Sequence, residues 1–342
     1  MHNSFSDQVQ FFLEKNNQPT YRLAQFNQAY YQHLINSFDE LTTWSKDLRA
    51  QLADQLEFST LTLLKEQTSA DGNTIKVLFS LNRQPELKLE TVLMRYQDGR
   101  NSVCVSCMVG CPVGCTFCAT GQMGLKINLT SREIIDQVLY FARLVNKEEQ
   151  KISNVTYMGM GEPLLNLEAV EASLDVLMAE DKFGLGKRRI TISTAGFPDQ
   201  LKKLIDDGYR PRLALSLHAP DQELREQIMP IAKNYPLDQV FEAIDYYVEK
   251  TNKLVTYEYL LLKGVNDSDA LAKQLGHLLK NRLAHVNLIP VNPVDNTPYQ
   301  RPTHERVRQF SKVLSQSGVS NTVRVTMGDD IKAACGQLNT KS

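Results

Sequence analysis

The sequence predicts an α/β chain, and three observations carry that expectation. Strand-like runs recur at 154–158, 189–193, 212–217, 254–261, 285–291 and 322–325, and helical patterns separate them at about 167–180, 197–207, 236–250, 269–281 and 304–316. Strand and helix in strict succession imply parallel strands joined by crossover helices. The 342 residues suffice for one large core plus a small accessory domain, and 42% hydrophobic with 23% charged residues is an ordinary globular balance. The alternation alone is equally compatible with an open, a doubly wound or a barrel-like sheet.

The elements follow in order along the chain. Residues 1–55 are polar and helix-prone, with Leu23, Phe26, Tyr30, Leu34, Leu41, Trp44, Leu48 and Leu52 spaced three and four apart, which suggests a small helical accessory domain. Residues 56–95 read as a connecting β-hairpin and strand. Runs at 61–65 and 75–81 flank the turn sequence Ser69-Ala70-Asp71-Gly72, and a further strand is expected over 87–94. A large core over 96–342 begins with a strand at 102–106 after the Asp98-Gly99 turn. Its first helix should start at Thr130, with Glu133 completing a capping box.

The net charge of −1 gives no general affinity for nucleic acid, whose binding is dominated by phosphate contacts. An RNA-binding face would have to be local, and Lys187-Arg188-Arg189 and Arg210-Pro211-Arg212 are the best basic patches, although charge runs are usually solvated faces. No segment approaches ~18 uninterrupted apolar residues, so no membrane span is expected. The start Met1-His2-Asn3-Ser4 lacks the pattern of a secretory signal. The expectation is a cytoplasmic monomer, a setting where cysteines serve metals or catalysis more often than disulfides.

Five of the six cysteines fall within fifteen residues: Cys104, Cys107, Cys111, Cys115 and Cys118; Cys335 stands far along the chain. Cys111, Cys115 and Cys118, with Phe117 before the last, can wrap a soft metal centre. Tetrahedral zinc is the competing reading, with Cys104 or Cys107 as fourth ligand, but structural zinc sites usually draw ligands from two separated knuckles. Gly159-Met160-Gly161-Glu162-Pro163 closes the expected strand 154–158. Glycines there allow close backbone approach to a ligand, and a carboxylate can accept from an ammonium group, although taken alone such a stretch reads first as a simple tight turn.

Cys111-x-x-x-Cys115-x-Phe117-Cys118 after a first strand resembles the signature of the radical S-adenosylmethionine superfamily. That resemblance implies a partial six-stranded (β/α) barrel, a 4Fe-4S cluster held by Cys111, Cys115 and Cys118, and reductive cleavage of S-adenosylmethionine at the open iron. The match extends further. Glu90-Thr91-Val92-Leu93, Cys104-Val105-Ser106, Ile192-Ser193-Thr194, Ser216-Leu217-His218-Ala219, Asn292-Pro293 and Ala333-Ala334-Cys335-Gly336-Gln337-Leu338 are similar to the bacterial adenine C2 methyltransferases of 23S ribosomal RNA.

The resemblance implies Gly161, Glu162, Ser193, Ser216, Leu217, His218 and Asn292 around S-adenosylmethionine, of which two are used per turnover. It also implies that Cys335 is methylated first, that its methylene radical adds to the base, and that Glu90 accepts the C2 proton. Cys104 then attacks Cys335 and releases the RNA through a transient disulfide. Transfer RNA is a second expected substrate, and a flavodoxin or ferredoxin type of reductant feeds the cluster. Taken singly, Cys335 and Cys104 could be buried small hydrophobes and His218 a structural group.

Two departures stand out: Cys107 replaces the Ser or Thr usual in the family, and Arg324-Val325-Thr326-Met327 is less basic than the common pattern. The close relative that methylates C8 of the same adenine shares this machinery, and Leu164-Leu165-Asn166 favours C2. Another kind of radical enzyme would not need Cys104 and Cys335, and a zinc-stabilised RNA-binding module would need no catalysis.

Overall fold

A computed structural model describes residues 4–295 and 297–340, so the reading of Met1-His2-Asn3 lies outside the described residues. Its strands, in chain order, are β1 (Leu61–Thr68), β2 (Thr74–Leu81), β3 (Gln84–Arg95), β4 (Asn101–Cys104), β5 (Met108–Val109), β6 (Ile127–Asn128), β7 (Asn154–Tyr157), β8 (Ile190–Thr194), β9 (Arg212–Ser216), β10 (Val255–Leu261), β11 (Ala284–Pro290) and β12 (Ser320–Val323). The helices are α1 (Phe5–Lys15), α2 (Tyr21–Asn27), α3 (Lys46–Gln55), α4 (Ala119–Gln122), α5 (Ser131–Asn146), α6 (Leu167–Met178), α7 (Pro198–Asp206), α8 (Gln222–Ile228), α9 (Leu237–Thr251), α10 (Asp269–Leu279) and α11 (His304–Gln316).

One ten-stranded sheet runs in the order β1-β2-β3-β4-β7-β8-β9-β10-β11-β12. The first four strands pair antiparallel, and every pairing from β4 onward is parallel. Six parallel strands, β4 and β7 to β11, therefore form the partial barrel, and the short β12 adds a seventh at its edge. Among the described residues β1 and β12 do not pair, so the barrel stays open. The hairpin β1–β2 turns at Gly72, whose φ of 71° lies in the left-handed region open to glycine.

The pleat gives the two faces of the parallel strands opposite characters. Val155, Tyr157, Ile190, Ile192, Leu213, Leu215, Val286 and Leu288 are buried on one face. The other face carries polar tiers fixed by the register. Cys104, Thr156, Thr191 and Arg212 share one tier; Ser193, Ala214, Thr256, His285 and Ser320 the next; Ser216, Glu258, Asn287 and Thr322 the third. A polar concave face is costly to bury unless hydrogen-bonded or wet, so the fold presents a lined cleft rather than a filled core.

The expected elements appear near their expected places. Thr130 accepts from the Glu133 N–H at 3.2 Å, and Glu133 accepts from the Thr130 N–H at 2.7 Å, so the capping box opens α5. The N-terminal helices gather Phe5, Phe26, Tyr30 and Trp44 into an aromatic cluster, with Phe26 and Tyr30 stacked at 5.2 Å. That cluster is tied to α5 where the Tyr30 hydroxyl donates to Asp136 at 3.2 Å. The sequence did not suggest α4, α8 or the β5–β6 ribbon, each of which is short.

Candidate active site

The cleft is bounded by the loop after β5, by the C-terminal ends of β7 to β11, and by the segment 328–340. Cys111, Cys115 and Cys118 lie half-buried in the loop, where Cys111 feels the charge of Cys118 and Cys115 feels that of both others. Burial pushes the Cys111 thiol up to about 12 and raises those of Cys115 and Cys118. A thiol in that position becomes a thiolate only against a compensating cation, as metal ligation supplies. Among the described residues no three such side chains converge on one ion. A cubane takes one thiolate at each of three irons and spreads them, so the donor set and its spacing fit an iron–sulfur cluster better than tetrahedral zinc.

Gly159 and Gly161 pack the turn after β7 against the stretch 105–108. A Cβ on Gly159 would stand 2.6 Å from the Val105 carbonyl oxygen; one on Gly161 would meet Met108 Cβ at 2.7 Å and Cys107 Sγ at 2.9 Å. Gly161 also has φ of 107°. These glycines are therefore required first by chain packing, a reason the sequence did not show. Cys107 is buried, its N–H donating to the Met160 carbonyl at 2.9 Å and its own carbonyl accepting from Asn166 at 2.8 Å, so it works as a packing residue at this junction.

Glu162 is buried at the base of the cleft. It accepts from the Leu164 N–H at 3.2 Å and the Ala195 N–H at 2.8 Å, joining the turn after β7 to the end of β8. Burial raises its carboxyl to about 7 against the opposing effect of Ala195, Thr194 and Leu164. Ser193 and Ser216 are half-buried on the concave face, while Leu217 is fully buried and its N–H donates to the Glu258 carbonyl at 3.1 Å.

His218 adopts φ of 59°, a conformation uncommon outside glycine and concentrated at functional sites. Its Nδ1 accepts from the Leu260 N–H at 3.0 Å, and its ring stands edge-on to Phe117 at 5.0 Å. Burial, assisted by Arg225, lowers its pKa to about 3, so the ring is neutral.

Glu90 is fully buried on β3. One carboxylate oxygen pairs with Lys76 Nζ at 2.9 Å and the other accepts from the Asn339 N–H at 2.8 Å. The segment 328–340 thus folds back over Glu90. It is fastened where the Ala119 N–H donates to the Gly336 carbonyl at 2.8 Å, and the Thr120 hydroxyl to that of Leu338 at 2.7 Å. Asn292 links the cofactor side to this segment: its amide donates to the Cys335 carbonyl at 3.3 Å and its oxygen accepts from Arg301 at 2.6 Å.

Cys104 is buried and Cys335 exposed, and both are free thiols, so the expected disulfide is not formed in this state. Partial enclosure in the cleft pushes the Cys335 thiol up to about 12 and burial raises that of Cys104, while Arg324 acts to lower both. Lys76, Arg225, Glu258 and Arg301 were missed from the sequence, and Arg324 was noted there only as part of a less basic stretch. A lone basic or acidic residue inside an apolar strand such as Lys76 or Glu258 was the available signal.

Comparison with known proteins identifies the family. Residues 105–274 match the Radical SAM superfamily. A protein of Dictyoglomus turgidum named "Probable dual-specificity RNA methyltransferase RlmN" is 42% identical over 97% of this chain and 94% of its own. Its namesake from Alkaliphilus oremlandii is 45% identical over 90% and 88%. The crystal structure of a radical SAM methyltransferase from Sphaerobacter thermophilus superposes with a TM-score of 0.95, at 42% identity and 98% coverage of both chains. This chain belongs to the radical SAM RNA methyltransferase family.

Membership implies S-adenosylmethionine and a 4Fe-4S cluster as cofactors, and it agrees with the partial barrel expected from the sequence. These relatives align over 97% and 90% of this chain. No helix is long and apolar enough to cross a membrane among the described residues.

Proposed function

We propose that this chain methylates the C2 carbon of an adenine in 23S ribosomal RNA at the peptidyl-transferase centre, and the adenine 3′ of the anticodon in transfer RNA. The observation that carries this reading is the meeting of three distant segments: Glu90 on β3, Cys104 at the end of β4, and the Cys335 segment, whose Asn339 N–H reaches Glu90 and whose Cys335 thiol feels the charge of Cys104. An enzyme that only generated a radical would have no use for that arrangement.

The cluster, held by Cys111, Cys115 and Cys118, and two molecules of S-adenosylmethionine would supply the radical and the methyl group. Gly161, Glu162, Ser193, Ser216, Leu217, His218 and Asn292 bind and orient the cofactor. Cys335 carries the methyl group to the base. Glu90, held by Lys76, accepts the C2 proton. Cys104 gives up its proton and attacks the Cys335 sulfur; the sulfur–carbon bond breaks, the freed methylene carbon takes a proton to become the methyl group on the base, and the Cys104–Cys335 disulfide left behind is reduced by external thiols. An electron donor of the flavodoxin or ferredoxin kind, a monomeric state and a cytoplasmic location complete the proposal. The chain divides into a helical accessory unit over 1–55, a hairpin and strand over 56–95 that carry Glu90, and a core over 96–342 that carries the cysteines and the cofactor residues.

An electrostatic feature supports RNA as substrate. Besides burial, Lys187, Arg188, Arg210 and Arg212 depress the Lys253 ammonium, so the two basic patches of the sequence converge with Lys253 at the N-terminal ends of β8, β9 and β10. Among the described residues no ion pair engages these cations, and clustered cations suit a phosphate backbone.

Mass spectrometry of ribosomal and transfer RNA, from cells with and without this protein, tests the proposal. A methyl group at adenine C2 that depends on the protein supports it. The same mass at C8 assigns the chain to the antibiotic-resistance type, and an unmodified adenine in both samples rejects both readings.

A further inference from the structure

Arg225 is a buried cation that the chemistry above leaves unused. It lies on α8 and is 0% exposed. Its Nε donates to the Leu217 carbonyl at 3.3 Å, and Nη2 donates to the carbonyls of Ala195 and Ser216. Those carbonyls close the ends of β8 and β9, beside the residues assigned to the cofactor. Nη1 is buried without any hydrogen-bond partner. No carboxylate pairs with Arg225 among the described residues. Burial lowers its pKa to about 10, against the effect of Cys115, so the side chain stays cationic at neutral pH.

The same helix is fastened to the cysteine loop. The Thr116 N–H donates to the Ile228 carbonyl at 3.0 Å and the Thr116 hydroxyl to the same oxygen at 3.1 Å. Ile228 lies three residues after Arg225, which places both on one helix face. The loop segment between Cys115 and Cys118 is therefore held by the helix that carries the free guanidinium arm, and Arg225 and Cys115 feel one another's charge.

An uncompensated buried ion costs several kcal/mol, so a free donor arm on such an ion implies an anion that completes it. Three thiolates on an iron–sulfur cubane leave the assembly anionic, and more so once an electron is added. We propose that Arg225 is a positioning residue that offers its free Nη1–H to the Cys115 side of the iron–sulfur cluster, easing its reduction, while its other nitrogens strap together the two strand ends that hold S-adenosylmethionine. The proposal rests on the iron–sulfur reading of the site.

Two variants separate charge from scaffolding. Arg225→Met removes the charge and the donors at similar length; Arg225→Lys keeps the charge and loses the fork. In redox titrations of cluster-loaded protein followed by EPR, Arg225→Met should disfavour reduction about tenfold, ~59 mV for a one-electron couple. Arg225→Lys should recover most of that shift while melting earlier than wild type. Equal potentials in wild type and Arg225→Met, at equal iron content and equal thermal midpoint, overturn the proposal. A readout without variants guards against misfolding: wild-type protein carrying ¹⁵N in its arginine guanidinium groups, reduced and examined by pulsed EPR. A ¹⁵N coupling to the cluster supports the assignment, and its absence in fully loaded, reduced protein overturns it. Iron and sulfide analysis of the same sample is read separately: a wild type that binds no cluster sinks the iron–sulfur reading itself, and this proposal with it.

Discussion

The two sides of the cleft are built to different standards of rigidity. On the cofactor side, Glu162, Leu217 and His218 are buried at strand ends and cross-linked by main-chain hydrogen bonds to neighbouring strands. On the other side, Cys335 is exposed in a segment without regular secondary structure, held by scattered contacts to Ala70, Lys76, Glu90, Ala119, Thr120, Asn292, Pro293, Asp295 and Arg301 rather than by a strand ladder. Strand ends fix a ligand to within a fraction of an ångström, whereas such a segment opens at small free-energy cost. The difference matches the division of labour proposed above, in which one side holds a reagent still and the other receives a methyl group, delivers it to a base and then lets go.

The largest expected effect falls on the side that must move. Cys335→Ala should abolish both methylation of the protein and methylation of RNA, read by mass spectrometry of each, while leaving iron content unchanged. Retained RNA methylation would remove Cys335 from the chemistry.

On the rigid side the expected losses are in binding. Glu162→Ala removes one charge-assisted hydrogen bond to an ammonium group, roughly 1.5–3 kcal/mol or about 10- to 150-fold in S-adenosylmethionine affinity by calorimetry. The pH dependence has a defined sign. The Glu162 carboxyl is raised to about 7, so the free protein favours its neutral form. That contribution to stability is present at low pH and is lost as pH rises from the ordinary carboxylate range through about 7. Cofactor binding needs the ionised form, so affinity should climb towards pH 7 and level off above it, with a proton released on binding in the acidic range. A flat affinity between pH 5.5 and 8, values bracketing that ionisation by roughly a unit each way, would remove Glu162 from ammonium recognition.

Smaller effects belong to the periphery. Neutralising Arg188 and Arg212 together should weaken RNA binding across sequences and lower the salt slope by about one for each phosphate left without its cation, measured by filter binding at several ionic strengths. An unchanged slope would leave those residues as a solvated face. Gln337 tethers the Cys335 segment, donating to the Pro293 carbonyl at 3.1 Å and to Asp329 at 2.8 Å. Gln337→Ala should cost about 1–3 kcal/mol of local protection in hydrogen exchange over 328–340 and barely move the thermal midpoint.

Much of the rigid side was legible in the sequence because it follows local rules. The helix start at Thr130, the hairpin at Gly72 and the alternation of strands with helices each depend on residues a few positions apart. The polar concave face was not legible as a face, since register between distant strands decides which residues share a tier. Lys76 and Arg225 escaped for the same reason: their partners lie on other strands and loops. The glycines after β7 were noticed, but they were credited to ligand approach, and only the structure shows their packing against 105–108. The reach of the Cys335 segment back to Glu90 spans 249 positions, beyond any local pattern. Family resemblance supplied the pairing that spacing could not.

The most direct test of the central claim is the fate of RNA on a Cys104→Ala protein. Cys104 acts only after the base has been joined to Cys335, so the variant should still accept the methyl group and attack the adenine, then stall. On a denaturing gel, protein and RNA should migrate together as one covalent species that survives reductant and disappears after nuclease digestion. A Cys104→Ala protein that releases methylated RNA at the wild-type rate, with no adduct, would contradict the account.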